Sequence, residues 1–576
     1  MYIFCDYVYL SLAVYKGLLV RKLKVGVLLD DDNNTKQIYD FLDVALDSKV
    51  YDVKFTITHY CFFKFPSIKE INISLLSNIY LFIKKLFLKL VIKFEVFLLI
   101  KNKKIVNNYF FKINIKNLSI RNFNIYNSAL NGDFFYRYTE DEIIKIRREN
   151  VDLLIHYGSK KIPDELLKLF PSGVISLNYT NTTFSSSLCA GFYDVLNKHD
   201  TTSFSVKVTN YKLKKIEDVI FNGSIMTSFM FTLNLIRLYS KSNSVIHKLV
   251  ENIASKRAHY HVVNQHRSMF PSYSVPSISV QILYLYKLFC CCYIRAWRSI
   301  TSKTITWGVA YQFTDSWCDV SLSESTIIEN PDNHYLADPF IIKQGNKHYC
   351  FVEDYDFAVR KGLITVYEID PKGYKYLGVA LEEEFHLSYP YLFRDGDNLY
   401  MCPESCSAKD IRLYKCVNFP LEWKLEKILI KNISAADTNI VKVDSTWWMM
   451  SNVDSSLLGN DHYSELHLFY SKDLLNGDWV EHKSNPVIYN ASIGRNGGLF
   501  FDDENIYRVY QIQGCDLYGK SFGVSKVNEI SRYKYEEDIQ FEVAADYFDS
   551  IVATHTFNFT EGLIVLDFAK IDTYIK

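Results

Sequence analysis

Apolar and polar residues keep two different rhythms along this chain. In the N-terminal half, short apolar runs alternate with segments of helical spacing. LKVGVLL (23–29) reads as a buried strand, residues 35–47 as the following helix, and VKFTITHY (53–60) as a second strand. The alternation resumes around 141–170 with a helix at EDEIIKIRREN, a strand at VDLLIHYG and a helix at PDELLKLF. GVISLNY (173–179) and SFSVKVTN (203–210) then read as further strands. Strands interleaved with helices predict an α/β domain.

From TWGVAYQF (306–313) the rhythm changes to short strands, turns rich in Gly, Asp and Asn, and aromatic strands, the grammar of hairpins. The unit recurs about every 50 residues and predicts a β-propeller, whose blades cannot bury a hydrophobic face alone. Each copy carries a polar or aromatic residue at one place: Asp338, Tyr389, Asp437, Asn496 and His555. In the first four an aromatic follows eleven positions later, at Tyr349, Tyr400, Trp448 and Tyr507. Equivalent positions on innermost strands converge on the central channel, so this column is where function is sought. The strand at 306–313 is expected to complete the last blade beside LIVLDFA (563–569) and close the ring. Trp447 and Trp448 read as blade packing.

Two apolar, basic stretches interrupt the pattern. Residues 75–124 set Lys84, Lys85, Lys89, Lys93, Lys101, Lys103 and Lys104 against a lone Glu95. No 18-residue window there lacks charge, which argues against a membrane-spanning helix. A helical insertion with solvated lysines is expected, with a basic amphipathic helix on a membrane as the alternative. Residues 277–300 hold Cys290, Cys291 and Cys292 beside Arg295 and Arg298; a helical linker is expected, with acylated cysteines as the alternative.

The length of 576 residues calls for two or three domains. With 65 basic and 65 acidic residues, no global charge points to nucleic acid. The twelve cysteines include no paired CxxC, and the CxxxC of Cys402 and Cys406 has no second half, so neither zinc nor a disulfide scaffold is expected. A reducing cytosol is expected. Asp6 and the lack of a basic start argue against a signal peptide in residues 1–20, read as an N-terminal extension.

Residues 21–225 resemble the formyltransferase fold, through DLLIHYG, GVISLNYT and AGFYDVLNKHDTTSFSVKV in that order. The resemblance implies an Asn-x-His pair, an Arg-Gly turn and a later Asp that together manage protons at a formyl carbon. Here Ser176 and Asn178 stand at the Asn and His positions, Ala190-Gly191 at the turn, and Lys214 or Lys215 near the acid. Formyl-folate binding is therefore not expected, and the domain reads as a retained scaffold or binding platform.

The propeller resembles families 43 and 32 of the glycoside hydrolases. That likeness implies Asp338 of ADPF as base or nucleophile and Asp437 of ADT as orienting group. The acid expected in the column is replaced by Asn496 or Tyr389, leaving Glu404 or Glu465 as provisional acids. Arg495, Asn496, His555 and Tyr389 are the expected substrate-binding residues. Asp354-Tyr355-Asp356 and Asp395-Gly396-Asp397 have metal-binding spacing but sit at hairpin ends, so no metal is expected. Over about 306–570, the words HYLADPF, YCFVEDYD, LYMCPES, AADTNIV and NGGLF are in turn similar to the propeller of the glucosamine inositolphosphorylceramide transferase family. That implies a glycan or glycolipid setting.

The expected architecture is a formyltransferase-like, Rossmann-type α/β domain at 21–250, a helical linker at 251–305 and a five-bladed propeller at 306–576. The expected function is glycosyl transfer in cell-surface glycan or glycolipid biosynthesis, without a cofactor. A non-catalytic glycan-binding scaffold, a glycoside hydrolase and a sugar N-formyltransferase remain alternatives. The expected location is the cytosol, with peripheral membrane contact through 75–124 or 277–300 left open.

Overall fold

A computed structural model describes residues 21–30, 36–62, 73–99, 118, 120–128, 136–158, 160–179, 189–211, 217–255, 275–318, 320–456 and 461–573. The first twenty residues, Lys101, Lys103, Lys104, Lys214 and Lys215 lie outside them.

The N-terminal half is the expected α/β domain. Its strands are β1 (Leu23–Asp30), β2 (Tyr51–Phe62), β3 (Arg121–Ser128), β4 (Leu153–His156), β5 (Val174–Asn178), β6 (Thr201–Thr209) and β7 (Glu217–Met226). They form one sheet in the order β3-β2-β1-β4-β5-β6-β7, parallel through β5 and antiparallel beyond. The helices are α1 (Lys36–Leu46), α2 (Ile73–Leu98), α3 (Glu140–Arg148), α4 (Asp164–Leu167), α5 (Phe192–Asn197), α6 (Phe231–Ala254) and α7 (Ile278–Ile300). Thr139 starts α3 with a capping box: its hydroxyl accepts from the Glu142 N–H, and the Glu142 carboxylate accepts from the Thr139 N–H.

The insertion expected to be helical is only partly so. Residues 121–128 form β3, because Phe123 and Ile125 alternate with polar neighbours and can turn one side inward. Glu95, the lone acid of the segment, is fully buried. It accepts from the Phe231 and Thr232 N–H groups at 3.2 and 2.6 Å, and from the Tyr284 hydroxyl. One carboxylate thus pins α2 to the start of α6 and to α7.

The C-terminal half is a five-bladed propeller, as expected. Blade one contains β10 (His334–Gln344), β11 (Lys347–Asp356), β12 (Lys361–Asp370) and β13 (Gly373–Leu381). Blade two contains β14 (Ser388–Asp395), β15 (Asn398–Glu404), β16 (Asp410–Asn418) and β17 (Glu422–Lys431). Blade three runs from β18 (Ala435–Val443) and β19 (Thr446–Val453) to β20 (Glu465–Ser471), with β21 (Val480–Glu481) and β22 (Ile488–Tyr489) beside it. Blade four contains β23 (Arg495–Asp502), β24 (Asn505–Gly514), β25 (Leu517–Ile530) and β26 (Tyr535–Ala544). Blade five joins β27 (Ile551–Ala553), β28 (Phe557–Thr560) and β29 (Leu563–Thr573) to β8 (Lys303–Phe313) and β9 (Thr326–Ile328). The β8–β29 ladder, from Lys303↔Thr573 to Phe313↔Leu563, closes the ring as the pattern predicts. Trp447 and Trp448 are buried in blade three.

The halves are locked together. Lys241 of α6, fully buried, donates to Glu465 Oε1 at 2.6 Å, Asp454 Oδ1 at 3.0 Å and the Asp461 carbonyl at 2.8 Å. Tyr489 packs against the rings of Phe204 and Phe221, and Lys520 pairs with Asp200. These contacts fall on Asp454, Asp461, Glu465 and Tyr489 of blade three and on Lys520 of β25, so the α/β domain borders the propeller on its third and fourth blades.

Candidate active site in the propeller funnel

The column converges because of a repeated backbone defect. In blade one, Ala337 and Phe340 face Glu353 and Phe351, so the inner strand carries one residue more than its partner. The same bulge occurs at Ser388–Tyr391, Ala436–Asn439 and Asn496–Gly498. Asp338, Tyr389 and Asp437 sit inside these bulges with φ of 49°, 47° and 45°, a left-handed conformation that L-residues seldom adopt. Each costs on the order of 1 kcal/mol.

Opposite the bulges stands a second column, of which the sequence singled out Glu404 alone. Glu353, Glu404, Asn452 and Gln511 each follow the first column by fifteen residues. The signal was therefore a second polar residue at the same period. It went unread because it falls on the second strand of each hairpin, among aromatic packing residues.

Two buried cations organise these groups. His555 Nε2 lies 3.1 Å from Asp338 Oδ1 and its Nδ1 2.9 Å from Asp567 Oδ2, the latter contact ionic rather than a well-aligned hydrogen bond. Asp567 also accepts from the His555 and Thr556 N–H groups, and Thr556 donates its hydroxyl to Asp338 at 2.9 Å. Burial alone would lower the His555 pKa, but Asp567 and Asp338 outweigh it and raise it to about 10. These three groups lie within 4.8 Å of one another, close enough for a divalent ion to replace the imidazole proton. Gly519 backs the ring; with φ of 59° and an added Cβ only 2.6 Å from His555 Cβ, the position requires glycine.

Arg495 is the second cation. Its Nε donates to Asp437 Oδ2 at 2.6 Å, and its NH2 group lies 3.7 Å from Glu404 Oε2. The Tyr463 and Tyr518 rings flank the guanidinium at 5.4 and 4.8 Å. Gln511 donates to Asp437 at 3.0 Å. Glu404 is hydrogen-bonded to Asp437, and its proton affinity stands well above the usual carboxylate range, through burial first and the Asp437 charge second, with Arg495 opposing. Glu353 is raised likewise by burial and by Asp338 and Glu404. The funnel thus sets two buried carboxyls of raised proton affinity beside two cation-paired aspartates.

Some expected site residues are placed elsewhere. Glu465 is not a funnel acid: burial would raise its pKa, but Lys241 and His467 hold it at about 2, ionised at the domain junction. Tyr389 does not reach a substrate, because it is fully buried against Phe340 with its hydroxyl donating to Asn439 at 3.0 Å. Asn496 is equally closed off, clipping the Asp437 and Met450 carbonyls. Arg495 and Glu404 keep 11% and 16% of their side chains exposed, against 7% for Asp338 and 2% for Asp437. Asp354 and Asp356 lie 2.5 and 3.8 Å from the ring nitrogens of His334, and Asp395 lies 3.5 Å from the Lys442 ammonium.

In the α/β domain, Ser176 and Asn178 line a cavity of about 490 Å³ with His156, Lys160, Asp164 and Lys207. An imidazole does stand here, supplied by His156 of β4 rather than by position 178. Its Nδ1 lies 3.1 Å from Ser176 Oγ, and Tyr136 links its other face to Asp30. Burial holds it neutral, with a pKa of about 4.

The His555 clamp predicts a pH dependence. The folded pKa lies above the free value of 6.5, so the clamp's stabilisation is full below about 6.5 and is lost as pH rises toward 10. Unfolding free energy should fall by up to about 1.4 kcal/mol per pH unit across that window. Urea melts of the wild type and His555→Gln at pH 6 to 10 check this; equal slopes would refute the clamp.

Residues 276–557 match the family described as glucosamine inositolphosphorylceramide transferase 1, N-terminal. Over 220 residues the chain is 39% identical to glucosamine inositolphosphorylceramide transferase 1 of Arabidopsis thaliana, a match covering 37% of this chain and 28% of that protein. The Oryza sativa subsp. japonica protein of the same name is 36% identical over 211 residues, covering 36% and 28%. The match thus spans little more than a quarter of the length of these relatives. Among solved structures, the GH43 BlXynB protein from Bacillus licheniformis is 18% identical, covering 38% of this chain and 45% of that one, with a TM-score of 0.29. Glycinamide ribonucleotide transformylase 1 from Symbiobacterium toebii is 10% identical, covering 43% and 92%, with a TM-score of 0.26.

Proposed function

From the similarity of residues 276–557 to the glucosamine inositolphosphorylceramide transferase family, we propose that this chain transfers a glycosyl group in glycolipid or cell-surface glycan assembly, with the chemistry in the propeller funnel. The observation that carries the reading is Glu404, whose proton affinity burial and Asp437 raise, standing 3.7 Å from the guanidinium of Arg495 that clamps Asp437. Glu404 supplies the acid missing from the first column. It protonates the departing oxygen while Arg495 balances the growing charge. A phosphate-bearing leaving group needs little more, since its own charge is already spread over several oxygens. Asp338 acts as base or nucleophile and Asp437 as the orienting group. The protein works in the cytosol on a carbohydrate or glycolipid acceptor, in peripheral contact with the membrane.

A second reading, a glycan-binding scaffold without catalysis, is favoured by the deep burial of Asp338 and Asp437 in ion pairs. Asp338→Asn keeps the shape of the side chain and separates the two. If the funnel is catalytic, the native host carrying this variant loses the glycan or glycolipid product while the protein keeps its circular dichroism spectrum. Unchanged product would leave the scaffold reading standing.

A further inference from the structure

Two helices on one side of the molecule present apolar side chains to solvent. On α7 the exposed residues Ile282, Tyr286, Phe289, Tyr293, Trp297 and Ile300 follow spacings of three and four, so they form one stripe. Phe289 is 69% exposed and Ile300 77%. On α2 a second stripe runs through Phe82, Leu86, Leu90, Phe94 and Phe97. The helices lie side by side, with the Gln281 side chain donating to the Lys84 carbonyl at 3.1 Å and Tyr284 donating to Glu95. The two stripes therefore belong to one surface element, far more apolar than scattered surface residues explain.

The charges on these helices choose the occupant. Lys89 and Lys93 stand exposed on α2 and Arg298 on α7, while Lys287 and Arg295 are engaged by the Leu196 carbonyl and by Asp516; the sole acid on the two helices, Glu95, faces inward. Apolar stripes bordered by cations fit an anionic lipid surface.

The α7 helix is long and apolar enough to cross a bilayer, with only 17% of its most apolar window buried. Spanning would put the domains before and after it on opposite sides. Yet Lys241 with Asp454 and Glu465, and Lys520 with Asp200, join those domains directly. Both must lie on one side of any membrane, so α7 can lie only along its surface.

We propose that α2 and α7 form a monotopic docking face for an anionic phospholipid bilayer. The surface carries this inference whether or not the funnel is catalytic. Its position has a further consequence. Arg295 of α7 pairs with Asp516, two residues before the funnel residue Tyr518, so the docked face borders the funnel wall. A lipid-linked acceptor could then enter from the membrane plane.

The test is flotation of the full chain with phosphatidylcholine vesicles, alone or with about 30% phosphatidylglycerol. Flotation is expected with the anionic vesicles, with a weaker response to the neutral ones. Phe289→Asp and Trp297→Asp should each lower the bound fraction about tenfold, with melting temperatures unchanged because both positions are exposed. Trp297 is the tryptophan that stands largely in solvent among the described residues. A vesicle-induced blue shift of emission, lost in Trp297→Phe while flotation persists, would place this stripe in lipid. No flotation with anionic vesicles would overturn the proposal. So would a lipid-free oligomer that the two Asp variants convert to monomer, since a second copy would then cover the face.

Discussion

Glu404→Gln is expected to lower glycosyl transfer by about 10²- to 10⁴-fold, the usual worth of a positioned general acid. Glutamine keeps the volume and can still face Asp437 and Arg495, but it has no proton to give. Substrate affinity should change far less than turnover, because the lost interaction forms only as the leaving oxygen departs. The pH profile carries the sharper signature. Burial and Asp437 raise the proton affinity of Glu404, so wild-type activity should persist above the usual carboxylate range and decline where this raised group ionises. The glutamine variant should lack that decline. The measurement is the initial rate of glycolipid formation in membranes of the native host across pH. Full turnover by the variant would remove Glu404 from the chemistry and return weight to Glu353 or to the scaffold reading.

Lys241→Ala should have the largest effect on stability. The substitution leaves Asp454 and Glu465 buried without their cation, a loss of about 3–5 kcal/mol where one partner of a buried pair is removed. Because the cluster joins the halves, chemical denaturation should also separate into two transitions. Adding Asp454→Asn and Glu465→Gln should recover part of the loss, since the orphaned charges are gone. Acid should act on the wild type in the same way. Glu465 has a folded pKa of about 2, below its ordinary 4.5, so its contribution is present above 4.5 and is lost as pH falls toward 2. A Lys241→Ala protein with wild-type stability would mean that the apolar contacts of Tyr489 alone hold the interface.

Local periodicity made much of this legible. The strands of both halves, the closing of the ring by residues 306–313 and the convergence of Asp338, Asp437 and His555 all follow from runs and spacings visible along the chain. What was hidden depends on partners remote in sequence. Glu465 looked like an acid until Lys241, some two hundred residues earlier, was found beside it. Tyr389 shares a column with Asp338 but is closed off by Phe340 and Asn439. Glu353 and Glu404 obey the same repeat, yet their raised proton affinity comes from burial, which no spacing reports. At the sheet end of the α/β domain, the imidazole missing at Asn178 is supplied by a neighbouring strand.

The ladder between β8 and β29 also sets an order of events in synthesis. Asp338 meets Asp567 across 229 positions and Thr556 across 218, so these contacts wait until the strand that carries Asp567 has left the ribosome. Four blades can pair locally as they emerge, but the clamp around His555 forms only when the last strand joins the first. An incomplete ring leaves Asp338 without its cation and exposes an unpaired edge at β8, a hazard for partly made chains. Acquisition of the site and protection from aggregation are thus one late folding step.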